Sequence, residues 1–126
     1  MIEHGSYQVT LAEQVLTVSL AELFNEHATA TVCQQMKSYI ESLNGRSFVV
    51  LLDCMGYEGS TPEAHQISNN FLRWLNKQNC LARAIVYSQK LYFDIVKNEQ
   101  PAVLESNNRR EFCNLAEAQQ WLATQL

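Results

Sequence analysis

Polar and apolar residues alternate from Tyr7 through Val9 to Leu11, and again from Leu16 through Val18 to Leu20. One apolar side chain every second residue marks a half-buried strand, so the spacing predicts two strands joined tightly as an antiparallel hairpin. The period then lengthens. Ala28, Val32, Met36, Ile40 and Leu43 recur at helical spacing behind Asn25, a good N-cap, and Asn44-Gly45 supplies the stop. Phe48 to Asp53 follows neither period, because its apolar residues run together and close on an aspartate. Such a run suits a central strand covered on both faces.

Cys54 to Gly59 is expected to be a loop, and Ser60-Thr61-Pro62-Glu63 to open a second helix, where proline is tolerated because the first-turn N–H has no intrahelical partner. Ile67, Phe71, Trp74 and Leu75 form the stripe of that helix. Leu81 to Tyr87 reads as the next strand, with Ser88 capping a third helix. There Leu91, Tyr92, Phe93, Ile95 and Val96, stepping about 100° per residue, spread over roughly 200° of the helix, more than one sheet face buries. Pro101 interrupts this helix or starts a short second piece. Arg110 to Cys113 is the last strand, Asn114 and Glu117 are a capping pair, and Leu115, Ala118, Trp121 and Leu122 are the stripe of a final helix. The order ββαβαβαβα predicts an α/β fold: a mixed, mostly parallel sheet with an antiparallel N-terminal hairpin at its edge and helices packed on it.

With 126 residues the chain is expected to form one domain, residues 1–126, around one core. Four glycines and two prolines leave no long flexible linker, and a net charge of -4 argues against nucleic acid or an anionic membrane as partner. Arg109-Arg110 is the one local cluster of positive charge, expected to be a solvated strand edge, with phosphate binding as the functional alternative. Cys33, Cys54, Cys80 and Cys113 form no C-x-x-C pair and have no histidine at ligand spacing, so neither zinc nor another cofactor is expected. The amino terminus lacks the pattern of a signal peptide, and no segment approaches the roughly 18 apolar residues of a membrane span. A cytoplasmic location with reduced thiols follows as the expectation.

Catalytic chemistry is thin. Asp53, Ser60 and His65 have the composition of a hydrolase triad, but no G-x-S-x-G elbow is present and His65 falls inside the helix. Cys54 is read as a half-buried small apolar residue at a strand end rather than a nucleophile. His4 and His27 are read as surface residues. Asp53 at the end of a central strand invites comparison with receiver domains, yet the acidic pair and the lysine that a receiver needs are replaced here by Leu20-Ala21-Glu22 and Asn114. Ser60 and Thr61 stand where a helix presents unpaired N–H groups; N-capping accounts for them, and an anion or a phosphoryl group is the functional alternative.

The opening hairpin, the strand Val49 to Asp53, the passage to Ser60-Thr61 and the tail Arg110 to Leu122 together resemble the SpoIIAA-like group, which shares its fold with STAS domains and more distantly with SEC14 or CRAL-TRIO domains. The resemblance covers essentially the whole length. It implies a non-enzymatic binding or regulatory module of STAS type, engaging a protein partner, a second copy of the chain or a small ligand, with apolar-ligand or lipid binding of SEC14 type as the alternative. In STAS anti-anti-sigma proteins the phosphorylatable serine directly follows an aspartate; here Ser60 follows Gly59. Under the same resemblance, Leu91 to Val96 is either a dimer surface or a lid, and Phe71, Trp74, Tyr92 and Phe93 surround the place where an apolar ligand is expected.

Overall fold

The computed structural model describes residues 2–126. Strand β1 (Ser6–Ala12) turns back as β2 (Val15–Phe24), with Glu13 in the left-handed region at φ 55°. There follow α1 (Glu26–Ser42), β3 (Phe48–Ser60), α2 (Pro62–Leu75), β4 (Cys80–Tyr87), α3 (Lys90–Glu99), a 3-10 turn (Pro101–Glu105), β5 (Arg109–Phe112) and α4 (Leu115–Ala123). The sheet order is β1-β2-β3-β4-β5; β1 and β2 are antiparallel and every other pair is parallel. The element order and the mixed sheet are those the hydrophobic pattern predicts.

Three successive crossovers run in one direction along the sheet, and the shared handedness that such connections follow puts their helices on one face. There Val32 and Met36 of α1, Leu75 of α2 and Phe93 and Val96 of α3 meet Val18, Val50 and Ile85 in the larger core. Helix α4 packs alone on the other face, where Ala118 and Leu122 join Val49, Leu51, Ala84 and Val86. The apolar half of β3, from Phe48 to Leu52, is thus covered on both sides, as its unbroken run requires.

The expected loop from Cys54 to Gly59 is instead strand. β2 continues beyond Leu20 to Phe24, so that Ala21, Glu22, Leu23 and Phe24 supply partners for Gly56, Tyr57, Gly59 and Ser60. Register shifts between Ser19 and Ala21 and between Glu22 and Leu23 absorb irregular spacing, with Glu22 at φ 71°. The two glycines that suggest a loop are needed inside the strand. A Cβ on Gly56 would meet Ala21 Cβ at 3.0 Å, and Gly59 has φ +133°. Ser60 consequently ends the strand, and Thr61 alone caps α2.

Two smaller expectations are corrected. Gln89, not Ser88, occupies the N-cap of α3, and no side-chain bond caps that helix. Cys54 lies inside β3 at 1% exposure rather than half-buried at a strand end. Among the described residues no helix is long and apolar enough to cross a membrane.

Candidate functional site

Between the sheet and helices α1 and α2 lies a cavity of about 120 Å³. Its walls are mainly apolar: Val18 from β2, Val50 and Leu52 from β3, Val32 from α1, and Phe71 and Leu72 from α2. At the carboxyl ends of the strands it reaches Phe24, Tyr57, Ser60 and Tyr87; toward the other end it reaches Arg83, Gln100, Val103 and Arg109.

Tyr57 organises the first end. Its ring centroid lies 6.2 Å from Phe24, 5.7 Å from Tyr87 and 5.9 Å from Tyr92, and Phe93 meets Tyr87 edge-on at 4.9 Å. Its hydroxyl shares a hydrogen bond with Ser60 Oγ. Burial pushes the Tyr57 phenol up to about 12, so it stays neutral. Thr61 next in sequence donates its N–H to Phe24 O at 2.9 Å, and its Oγ accepts from Ala64 N at 3.1 Å. Both hydroxyls of the Ser60-Thr61 pair are therefore engaged, one at the cavity wall and one as a cap. Thr61→Ala is expected to lower stability by about 1 kcal/mol in chemical denaturation, the usual cost of losing such a cap.

Of the apolar residues singled out around α2 and α3, Phe71 and Val96 line the cavity. Tyr92 and Phe93 belong to the aromatic cluster beyond Tyr87. Trp74 packs on Phe71 at 5.6 Å with Lys37 Nζ 5.3 Å over its ring. Leu91 and Ile95, one turn apart, are exposed. The wide apolar arc of α3 is thus split between core and solvent.

The triad composition does not assemble. His65 is 5% exposed and its Nδ1 takes a 2.9 Å hydrogen bond from the Gln100 amide, while Ser60 Oγ is held by Tyr57. Asp53 lies on the opposite sheet face, in register with Val86, and accepts from Met55 N at 3.1 Å, a local side-chain to backbone bond. Burial raises the Cys54 thiol far above its ordinary value, which removes the thiolate a nucleophile needs. His4 is exposed, and His27 is half-buried with Nε2 3.3 Å from Glu26.

Arg109-Arg110 is only in part the solvated edge expected, since Arg110 is exposed and Arg109 is not. Arg109 is 11% exposed by side chain and pairs with Glu111 at 2.7 Å, whereas Arg110 lies over the rings of Phe112 and Trp121 at 5.4 and 5.8 Å. Alternation along β5 turns Arg109 toward α3 and Arg110 toward α4.

Tyr57, Arg83 and Gln100 were not singled out by sequence. Arg83 did leave a signal, as the sole charged residue in the run Leu81 to Tyr87. A charge in the middle of a buried strand calls for a partner or a role. Polar contacts also anchor α2 to the 3-10 turn, since Asn69 Oδ1 accepts from Ala102 N at 2.8 Å.

Two of these groups make stability sensitive to acid. Burial lowers the His65 pKa from 6.5, so below about pH 6.5 the unfolded chain binds a proton that the folded one refuses, and stability falls with pH. Burial alone would raise Glu111, but hydrogen bonds from Arg109 and Lys97 bring it below 4.5, so its contribution, present above that value, is lost as pH falls through the folded one. Melting temperature is therefore expected to drop between about pH 7.5 and about pH 5.5, and to drop less in His65→Gln, a replacement that can still accept from Gln100.

No family model matches the sequence, and no curated protein matches it. Among solved structures the chain is similar to a DUF3478-family protein with a SpoIIAA-like fold from Shewanella loihica PV-4, at 12% identity and TM-score 0.68, covering 97% of this chain and 96% of that one. It is also similar to the anti-sigma factor antagonist SpoIIAA in its unphosphorylated form, at 7% identity and TM-score 0.59, covering 94% and 98%. With its hairpin edge, parallel remainder and lone helix on the second face, the chain has the SpoIIAA-like α/β fold.

Proposed function

We propose that the chain is a non-enzymatic binding module of STAS type, working in the cytoplasm, which holds a small apolar-bodied molecule between its sheet and helices α1 and α2. The cavity carries this reading. Protein interiors pack as densely as organic crystals and seldom leave voids much larger than a water, whereas an apolar cavity of about 150 Å³ accepts benzene. At about 120 Å³ the space here is of that order. It falls well below the roughly 300–1,000 Å³ of sites for drug-sized ligands, which favours a small molecule over a SEC14-type lipid.

The position of the cavity supports a regulatory use. It ends at Ser60, beside the amino end of α2, and open α/β sheets commonly work at the carboxyl ends of their strands. Occupancy there bears on Tyr57 and Ser60 and hence on the surface where a partner would read it. One structural neighbour is an anti-sigma factor antagonist, which fits a partner-reading role.

Leu72→Phe fills the cavity from α2 and tests the proposal. In two-dimensional NMR, benzene-sized apolar probes are expected to shift resonances of residues around Val50 and Leu72 in the natural protein and to leave those of Leu72→Phe unmoved. Undiminished binding by a folded Leu72→Phe would place the probe elsewhere.

A second reading makes Ser60 or Thr61 a phosphoacceptor, favoured by their place at the amino end of α2, where N–H groups and helix dipole stabilise a phosphoryl group. Intact-mass measurement of protein from cells, repeated on Ser60→Ala and Thr61→Ala, decides it. Exposed Leu91 and Ile95 are the proposed contact for a partner or a second copy, and sedimentation of Leu91→Glu is expected to show a smaller species if they serve as one.

A further inference from the structure

Arg83 is 4% exposed in the middle of β4. Its Nη1 donates to Ser106 Oγ at 3.0 Å, its Nε has no partner, and it pairs with no carboxylate among the described residues. Its neighbour in register on β5 is another arginine, Arg109. Glu111 Oε2 lies 2.7 Å from Arg109 Nη1 and 2.9 Å from Lys97 Nζ, so one carboxylate already serves two cations. Lys97, Arg109 and Arg83 against Glu111 alone leave a local excess of two positive charges in a chain whose net charge is -4. A guanidinium does not escape burial by losing its proton, and an unmatched buried charge is strongly unfavourable. Both arginines line the cavity.

We infer that the cavity is selective for a short monocarboxylate, its head group held by Arg83 and its apolar tail lying along Val50 and Leu52 toward Tyr57. The inference rests on the cavity being a ligand site, as proposed above, and names the chemistry that site selects. A planar guanidinium matches a carboxylate in fork geometry, and the pair gains strength where water is excluded. Arg83 and Tyr87 bracket the space along β4, four residues apart, which at strand rise is about 13 Å, the span of a short extended chain rather than of a compact ion.

Calorimetric titration with hexanoate and with 1-hexanol, at about pH 7.5, separates the two layers of the proposal. The carboxylate is expected to bind at least about tenfold more tightly than the alcohol. In Arg83→Met its affinity is expected to fall to that of the alcohol, whose own binding persists, and the unliganded variant is expected to melt no lower than the natural protein because an unmatched buried charge has been removed. In the natural protein the Arg83 Nε–H resonance is expected to shift with hexanoate and not with 1-hexanol, a readout independent of whether the variant folds. Equal affinity for both probes overturns the anion selectivity and leaves the apolar site standing. Binding of neither overturns both, and a carboxylate preference that survives in Arg83→Met overturns the role of Arg83.

Discussion

Tyr57→Ala is expected to lower the free energy of unfolding by about 3–5 kcal/mol, the range for removing a large buried aromatic side chain. The ring is 6% exposed and touches three other aromatic rings, so its loss leaves a hole where the strands' carboxyl ends meet α3. Against the 5–15 kcal/mol of a typical domain, about that much is a large share, and urea unfolding followed by fluorescence reads it as an earlier midpoint. Tyr57→Phe keeps the packing and removes only the hydrogen bond to Ser60, so its cost is expected to be nearer 1 kcal/mol. The difference between the two variants isolates the ring. A Tyr57→Ala protein as stable as Tyr57→Phe would mean that the aromatic cluster contributes little.

The second large effect concerns the two faces of β3. Val49 faces α4 and is 0% exposed; Val50, next in sequence, faces α1 and α2 and is 3% exposed. A carboxylate at either site would be buried without a partner, so both Val49→Asp and Val50→Asp are expected to lose about 4 kcal/mol or more. Thr10→Asp on exposed β1 serves as the control and is expected to stay within about 0.5 kcal/mol of the natural protein. A strand wetted on one side would tolerate one of the two adjacent substitutions. Tolerance of either, measured by urea unfolding, contradicts a doubly covered β3.

Most of the architecture is legible in the sequence because apolar spacing records which face of each element is covered. The alternation in β1 and β2 and the unbroken run in β3 carry this information directly. The far half of β3 escaped because its composition, Cys-Met-Gly-Tyr-Glu-Gly, is that of a loop. Only the extension of β2, a long-range pairing, makes it strand. That pairing matters at the site, since it moves Tyr57 from a loop into the sheet and turns Ser60 from a helix opener into a strand end. The polar anchors His65 and Asn69 escaped for a related reason. They sit on the buried side of α2 facing a 3-10 turn whose backbone needs partners, and a purely apolar stripe predicts none there. Arg83 was visible as an oddity, but its meaning depends on Glu111 being shared by Lys97 and Arg109, which only coordinates reveal.

The strand order has a kinetic consequence. Every strand hydrogen-bonds to the one that precedes it in the chain, so none has to be threaded between two already joined. A sheet of this kind grows outward from the hairpin by one edge as the polypeptide leaves the ribosome, each arriving segment docking on a template already laid down. Pairing each strand with the next one along keeps the entropic cost of loop closure as low as a parallel crossover allows.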